Sequence, residues 1–154
     1  MKETIISFIG SIINTLLSHL LGHEKPISEA KKKYDTLRND VAEALTMYAN
    51  CLHQPLDIAK LPDGKLPEDY CEGSRKFREL GAKMDALAKT MPNNIKDVPI
   101  KQTEIIKASK CLIGLSNNFS APYNCTDISP TLRNICEYEK ELRNILDISG
   151  SNGD

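Results

Sequence analysis

The sequence predicts an all-α protein: an antiparallel four-helix bundle preceded by an N-terminal helix that is amphipathic or transmembrane. Four segments place apolar residues at steps of three and four, which is the spacing of one face of an α-helix. None of them shows the strict alternation that is typical of a half-buried β-strand. The 154 residues are enough for a single domain with a hydrophobic core.

The first two helices of the predicted bundle are separated by a long proline-containing loop. The apolar face of the first is formed by Ala30, Tyr34, Leu37, Val41, Leu45, Tyr48 and Leu52. Ser28 is suited to cap its N-terminus, because a serine hydroxyl accepts a hydrogen bond from a first-turn N–H. The apolar face of the second is formed by Tyr70, Phe77, Leu80, Met84, Leu87 and Met91. We expect this helix to begin near Pro67 and to end at Met91, because Pro92 disfavours helical backbone before it.

The last two helices are marked by a glycine and by a proline. The third has an apolar face formed by Ile105, Ala108, Leu112, Leu115 and Phe119. Gly114 inside it costs about 1 kcal/mol relative to Ala, so we predict a close helix crossing there. The fourth has an apolar face formed by Leu132, Ile135, Tyr138, Leu142, Ile145 and Ile148. It begins at Ser129 and Pro130, a cap followed by a proline at the first helical position.

The N-terminal helix combines a wide apolar arc with a narrow polar seam. The centre of the arc is formed by Ile5, Ile9, Ile12, Ile13, Leu16 and Leu20. The polar seam is formed by Ser7, Ser11, Asn14 and Ser18. Small hydroxyl and amide side chains of this kind pack or hydrogen-bond between helices inside a membrane.

Three interpretations of this helix differ in where its apolar arc is buried. A secretory signal needs a basic start and an unbroken apolar centre, and the polar seam interrupts this one. A transmembrane helix needs about 20 mostly apolar residues, and no charge lies between Glu3 and Glu24. A soluble protein would instead bury the arc against the bundle or against copies of itself. Because solvent-facing helices usually carry Lys and Glu, the sequence favours membrane association over soluble burial.

The basic residues next to the apolar helix follow it rather than precede it. They are Lys25, Lys31, Lys32 and Lys33. The positive-inside rule therefore predicts that the bundle lies in the cytoplasm, with these lysines near anionic lipid. We expect a membrane-associated or oligomerising helix over residues 1–25, a helical bundle over 26–149 and a disordered tail over 150–154.

The common catalytic and metal-binding patterns are missing from the sequence. Neither a GxxxxGK[ST] nor a GxGxxG nor a GxSxG motif occurs. His19 and His23 have a spacing that can hold a metal, but no third ligand is evident, so we predict neither a metal nor a cofactor. Residues one or two positions apart on a helix do not face each other, so we do not expect Cys51 and His53 to act together in catalysis. We therefore predict that the protein is not an enzyme.

Charge and cysteine content narrow the classes of function that remain. The net charge is −1 and aromatic residues are few, which argues against binding to nucleic acid. The five cysteines are scattered without a CxxC pair, as expected for reduced thiols. The run EYEKELRN is typical of a solvated helix face. An anion site would require convergence of four arginines that we expect to face solvent: Arg75, Arg78, Arg133 and Arg143.

The stretch RKFRELGAKMDALAKTMP, followed by ASKCLIGLSNNF, resembles small uncharacterised bacterial proteins with an N-terminal membrane helix and a helical bundle. The resemblance covers residues 75–119 and implies a membrane-anchored helical class without naming a catalytic residue. We expect the bundle to bind an unknown protein partner or to self-associate. One concrete form of this membrane-anchored class is an effector of antiviral defence that disrupts the membrane of its own cell. The alternative is a soluble oligomeric scaffold or adaptor that assembles through its N-terminal helix.

Overall fold

The computed structural model describes residues 29–54, 61, 63, 65–91, 99–119 and 129–150. The predicted N-terminal helix with its apolar arc and polar seam, the Ser28 cap and Lys25 lie outside these residues. Within them the fold is all-helical and contains no strand. The helices are α1 over residues 29–47, α2 (Ala49–His53), α3 (Glu68–Thr90), α4 (Gln102–Phe119) and α5 (Ser129–Leu146). None of these described helices is both long enough and apolar enough to cross a membrane.

The first predicted bundle helix is divided into α1 and α2 at Tyr48. The backbone of Tyr48 departs from helical geometry, with φ −102° and ψ 14°. Its N–H still donates to the carbonyl of Ala44 at 3.0 Å, and its own carbonyl accepts from Leu52 at 2.9 Å. The Tyr48 ring packs edge-on against Phe77 and Phe119, with centroids 6.0 and 6.3 Å away.

The ends of α3 agree with the sequence prediction. Pro67 precedes the helix with φ −54° and ψ 144°, and Glu68 and Asp69 occupy the first turn. Carboxylates are favourable there because the helix dipole is positive at its N-terminus. Met91 is extended, with φ −78° and ψ 127°, so α3 stops before Pro92 as expected.

The C-terminus of α5 lies two residues before Ile148, where the apolar pattern ended. Asp147 has a left-handed backbone, with φ 50°. The Ile148 N–H donates to the carbonyl of Arg143 at 2.9 Å, and the Asp147 N–H donates to that of Asn144 at 3.4 Å. These are the two hydrogen bonds of a Schellman motif, which uses orphan carbonyls of the last turn and ends the helix.

Helices α3 and α4 are antiparallel and joined by a polar ladder. Side chains of α4 donate to carbonyls of α3 in three pairs: Ser116 to Ser74, Ser109 to Gly81 and Gln102 to Ala88, each at 2.7 Å. Successive donors on α4 are seven residues apart, and their acceptors on α3 are seven residues apart in the opposite chain direction. Heptad spacing keeps one face of each helix toward its partner, so the ladder fixes the register of the pair.

Helix α5 packs against α4 on one side and is bonded to α1 on the other. A Cβ on Gly114 of α4 would lie 2.7 Å from the ring of Tyr138, so the predicted close crossing is confirmed. The Arg38 guanidinium of α1 donates to the carbonyl of Leu146 at 2.6 Å and to that of Asp147. These contacts tie the middle of α1 to the end of α5.

The hydrophobic core is built largely from the predicted apolar faces, and Leu146 joins it although the predicted face of α5 did not include this residue. The most completely buried members are Val41, Leu45, Leu52, Phe77, Leu80, Met84, Ile105, Leu112, Leu115, Leu142 and Leu146. The face of α5 is the least buried, since Leu132, Tyr138 and Ile145 are only partly covered. The prediction of an all-α protein with a helical bundle is therefore confirmed for the described residues.

Candidate functional site

A groove of about 450 Å³ runs between the first half of α1 and the second half of α3. It is lined by Lys32, Lys33, Thr36, Leu37 and Asp40 of α1 and by Lys83, Ala86, Leu87 and Thr90 of α3. Leu37 and Leu87 are buried and form an apolar floor. Thr36 and Ala86 are exposed, so the groove is open to solvent.

Lysines lie along this groove and beside it. Lys31, Lys32 and Lys33, predicted to lie beside a membrane, are all exposed, and two of them line the groove. Lys83 is 2.7 Å from the Glu79 carboxylate. This hydrogen-bonded ion pair raises the pKa of Lys83 and lowers that of Glu79, so Lys83 stays charged at neutral pH.

A second cavity of about 200 Å³ continues along the same two helices toward Tyr48. Its lining is more acidic and consists of Asp40, Glu43, Ala44, Met47, Tyr48, Glu72 and Lys76. Asp40 lines both cavities, so the second is a neighbour of the first, which we call the α1/α3 groove. Lysines outnumber carboxylates in the lining of the groove, and carboxylates outnumber lysines in that of the second cavity. Met47 is 63% exposed and is the one exposed large hydrophobic residue in the described part of the chain.

An ionic cluster joins α2 to α5 at a separate cavity of about 370 Å³. The Glu139 carboxylate lies 3.1 Å from Nε2 of His53 and accepts from Arg143 at 3.1 and 3.2 Å. Glu139 is only 8% exposed, so the prediction that its segment is a solvated face was wrong at this residue. The pairing removes the cost of a buried charge, because a carboxylate away from water needs partners.

This cluster is structural rather than an anion site. Arg143 faces Glu139 and also donates to the carbonyl of Ser149 at 2.9 Å. Three of its five N–H donors are therefore bonded within the protein. Arg75, Arg78 and Arg133, which would have had to join it, are exposed.

The described cysteines are free thiols, as predicted for Cys51, Cys71, Cys111 and Cys136. Burial, assisted by the nearby Glu141 carboxylate, raises the pKa of Cys111 from about 9 to about 11. Burial also raises the pKa of Cys51. Both thiols are protonated at neutral pH, whereas the thiolate is the nucleophile. In the described ranges no three His, Cys, Asp or Glu side chains are grouped to hold a metal.

Sequence reasoning named Lys32 and Lys33 but missed Lys83, the groove itself and the ionic cluster. The six apolar-arc residues, the four seam residues and Lys25 lie outside the described residues, so the structure leaves their roles as predictions. The i,i+4 spacing of Glu139 and Arg143 was visible in the sequence, whereas the contact with His53 depends on packing. Comparison with protein-family models, curated proteins and solved structures found no match to this chain.

Proposed function

We propose that this chain is a non-enzymatic, membrane-associated helical protein. Its N-terminal segment inserts into or lies on a bilayer, and its helical bundle stands in the cytoplasm and binds a partner or another copy. The observation that carries this proposal is the group of exposed lysines at the end of the bundle that the N-terminal segment joins. Anionic lipid attracts basic residues next to a membrane segment, by about 1 kcal/mol per Lys near the surface.

The lysines belong to α1, to α3 and to the residue before α4, and these three parts of the chain meet at this end. Lys31, Lys32 and Lys33 begin α1, and the groove places Lys33 beside Thr90 at the end of α3. Exposed Lys89 lies near that end, and exposed Lys101 precedes α4. The bond from Gln102 to Ala88 brings the start of α4 to the same place. Glu29 and the Asp85 partner of Lys89 partly offset the positive charge, so the attraction is local and modest.

We also propose that α1 with α2, α3, α4 and α5 form an up-and-down four-helix bundle. Pairwise contacts support it: α1 borders α3 at the groove and reaches α5 through Arg38, while α4 contacts both α3 and α5. Such a bundle leaves α1 and α4 on a diagonal and gathers alternate helix ends at one pole. The lysines would then surround the site where the N-terminal segment leaves the bundle.

Flotation with liposomes tests the membrane proposal. We expect the full chain to float with vesicles containing phosphatidylserine, and the triple variant Ile9→Asp/Ile13→Asp/Leu16→Asp to stay at the bottom of the gradient. The variant Lys31→Glu/Lys32→Glu/Lys33→Glu should bind these vesicles about 100-fold more weakly, since about 1 kcal/mol is lost for each of the three lysines.

The matched control changes three other exposed lysines by the same net charge: Lys65→Glu/Lys107→Glu/Lys110→Glu. It should float like the wild-type chain. If the wild-type chain does not float at all, the membrane proposal is wrong. The mass of the assembly in solution then tests the soluble scaffold that assembles through its N-terminal helix.

A further inference from the structure

We propose that the thiol of Cys136 is a modification site that exchanges with small disulfides, and that His53 is the base that takes its proton. This inference stands apart from the membrane role proposed above, and it concerns one stoichiometric modification of the chain rather than an enzymatic reaction. Three observations carry it: a shared cavity, the hydrogen bonding of the His53 ring and the exposure of the thiol.

Cys136 and His53 line the same cavity, the one of about 370 Å³ at which α2 is joined to α5. His53 is the one histidine among the residues that the structure describes. Cys136 precedes Glu139 by three residues on α5, and such neighbours on a helix have Cβ atoms about 5–6 Å apart. Because the Glu139 carboxylate contacts the His53 ring at 3.1 Å, this spacing places the Cys136 thiol close to the same ring.

Glu139 determines which nitrogen of the His53 ring can act as a base. Its carboxylate lies 3.1 Å from Nε2 of His53 and also accepts from Arg143. A carboxylate accepts hydrogen bonds and does not donate them, so the proton of a neutral His53 ring lies on Nε2. Nδ1 is then the nitrogen that can take a proton from a thiol. The His53 side chain is 57% exposed, which allows a small reagent to approach the ring.

Exposure separates Cys136 from the thiols that are covered by the bundle. Cys136 is exposed, whereas Cys111 is buried. Burial raises the pKa of Cys111 to about 11 and also raises that of Cys51, so these two thiols are poor nucleophiles at neutral pH. Cys71 is exposed too, but it lies on α3 and does not line the cavity of His53. Cys136 is therefore the described thiol that combines access to solvent with a base in the same cavity.

The exchange balances without any further reactant. As Sγ of Cys136 attacks one sulfur of a disulfide R–S–S–R, its proton passes to Nδ1 of His53 and a new S–S bond forms. The second sulfur leaves as a thiolate with the electron pair of the broken bond. That thiolate takes the proton from His53, so the products are a mixed disulfide on Cys136 and one free thiol. A cavity of about 370 Å³ is large enough for a small molecule of this class.

Reaction of the full-length chain with hydroxyethyl disulfide, an uncharged reagent, tests the proposal. The mixed disulfides are followed peptide by peptide by mass spectrometry, and exposed Cys71 is the internal reference. We expect Cys136 to react about tenfold faster than Cys71, which is part of the roughly 100-fold that a well-positioned base supplies. His53→Gln retains an N–H that can donate to Glu139 but has no basic nitrogen, so it should lower the Cys136 rate to that of Cys71.

A matched variant separates the effect of a base from that of nearby charge. Arg133→Gln removes a positive charge one helical turn before Cys136 and leaves His53 in place. Because interactions between exposed charges are weak, it should change the Cys136 rate by less than about twofold. Unchanged helical circular dichroism checks that both variants are folded, and the comparison of Cys136 with Cys71 in the wild-type chain needs no variant.

Three results would overturn the inference. The first is an equal rate at Cys136 and Cys71 in the wild-type chain, which would mean that exposure alone sets the reactivity. The second is a Cys136 rate that His53→Gln leaves unchanged, which would remove the base. The third is an equal loss of rate in Arg133→Gln and His53→Gln, which would assign the effect to local charge.

Discussion

At the scale of single residues, Gly114 shows how packing reverses an intrinsic preference. Helix propensity alone favours Gly114→Ala by about 1 kcal/mol. A Cβ there would lie 2.7 Å from the Tyr138 ring, and overpacking of this kind typically costs about 1–3 kcal/mol. Because the propensity gain offsets part of this cost, we expect Gly114→Ala to lower the free energy of unfolding by up to about 2 kcal/mol, measured by urea denaturation.

The control for this prediction makes the same Gly114→Ala substitution in a chain that lacks the Tyr138 ring. In a Tyr138→Ala background the added methyl group meets open space, so the same change should stabilise the chain by about 1 kcal/mol. Equal effects in the two backgrounds, or stabilisation of the wild-type chain, would contradict the proposed contact between α4 and α5.

The environment of a single residue could be predicted where its cause lies nearby in the sequence, and could not where its contact partner is distant in the chain. The glycine signalled a close crossing because nothing else repays its cost inside a helix. The burial of Glu139 could not be predicted, since its partner His53 is 86 positions away in the chain. A carboxylate beside an i,i+4 arginine has the same sequence pattern on a solvated face and in a buried cluster.

At the scale of helices, Arg38 ties the middle of α1 to the end of α5. Its guanidinium donates to the carbonyls of Leu146 and Asp147, which the last turn of a helix leaves without intrahelical partners. We expect Arg38→Met, which keeps the apolar stem, to cost about 1–2 kcal/mol of stability. Amide hydrogen exchange at Asp147 and Ile148 should accelerate at the same time, because the Schellman motif is loosened.

A second arginine provides the comparison. Arg133 lies on the exposed side of α5, and Arg133→Met should change stability by less than about 0.5 kcal/mol. If both substitutions had the same small effect, the Arg38 bonds would add nothing to the joint between α1 and α5.

Helix ends were predictable where proline sets them and unpredictable where backbone geometry does. The ring of a proline fixes its own backbone angle and restricts the residue before it. Pro67, Pro92 and Pro130 therefore mark helix ends that can be located from the sequence alone. The break at Tyr48 and the left-handed Asp147 coincide with tertiary contacts: ring packing on α3 and α4, and the Arg38 bonds. Those contacts become visible only in the folded chain.

At the scale of the whole molecule, apolar periodicity predicted the fold class because every bundle helix must bury one face. Periodicity does not specify which faces meet. The serine–carbonyl ladder between α3 and α4 sets one pair, and its serines resemble ordinary polar positions in the sequence. The α1/α3 groove likewise arises from the separation of two helices, a quantity that no single segment encodes.

The polar seam of the predicted N-terminal helix gives the prediction with the largest functional consequence. In a bilayer, hydroxyl and amide groups must bond to one another or line an aqueous path, because lipid offers no partners. We expect the full chain to release dye from anionic vesicles, and Ser11→Leu/Asn14→Leu to bind the same vesicles with little release. Flotation of both chains separates loss of the path from loss of binding. Release by neither chain, or equal release by both, would remove the basis for a membrane-disrupting effector while leaving a simple membrane anchor in place.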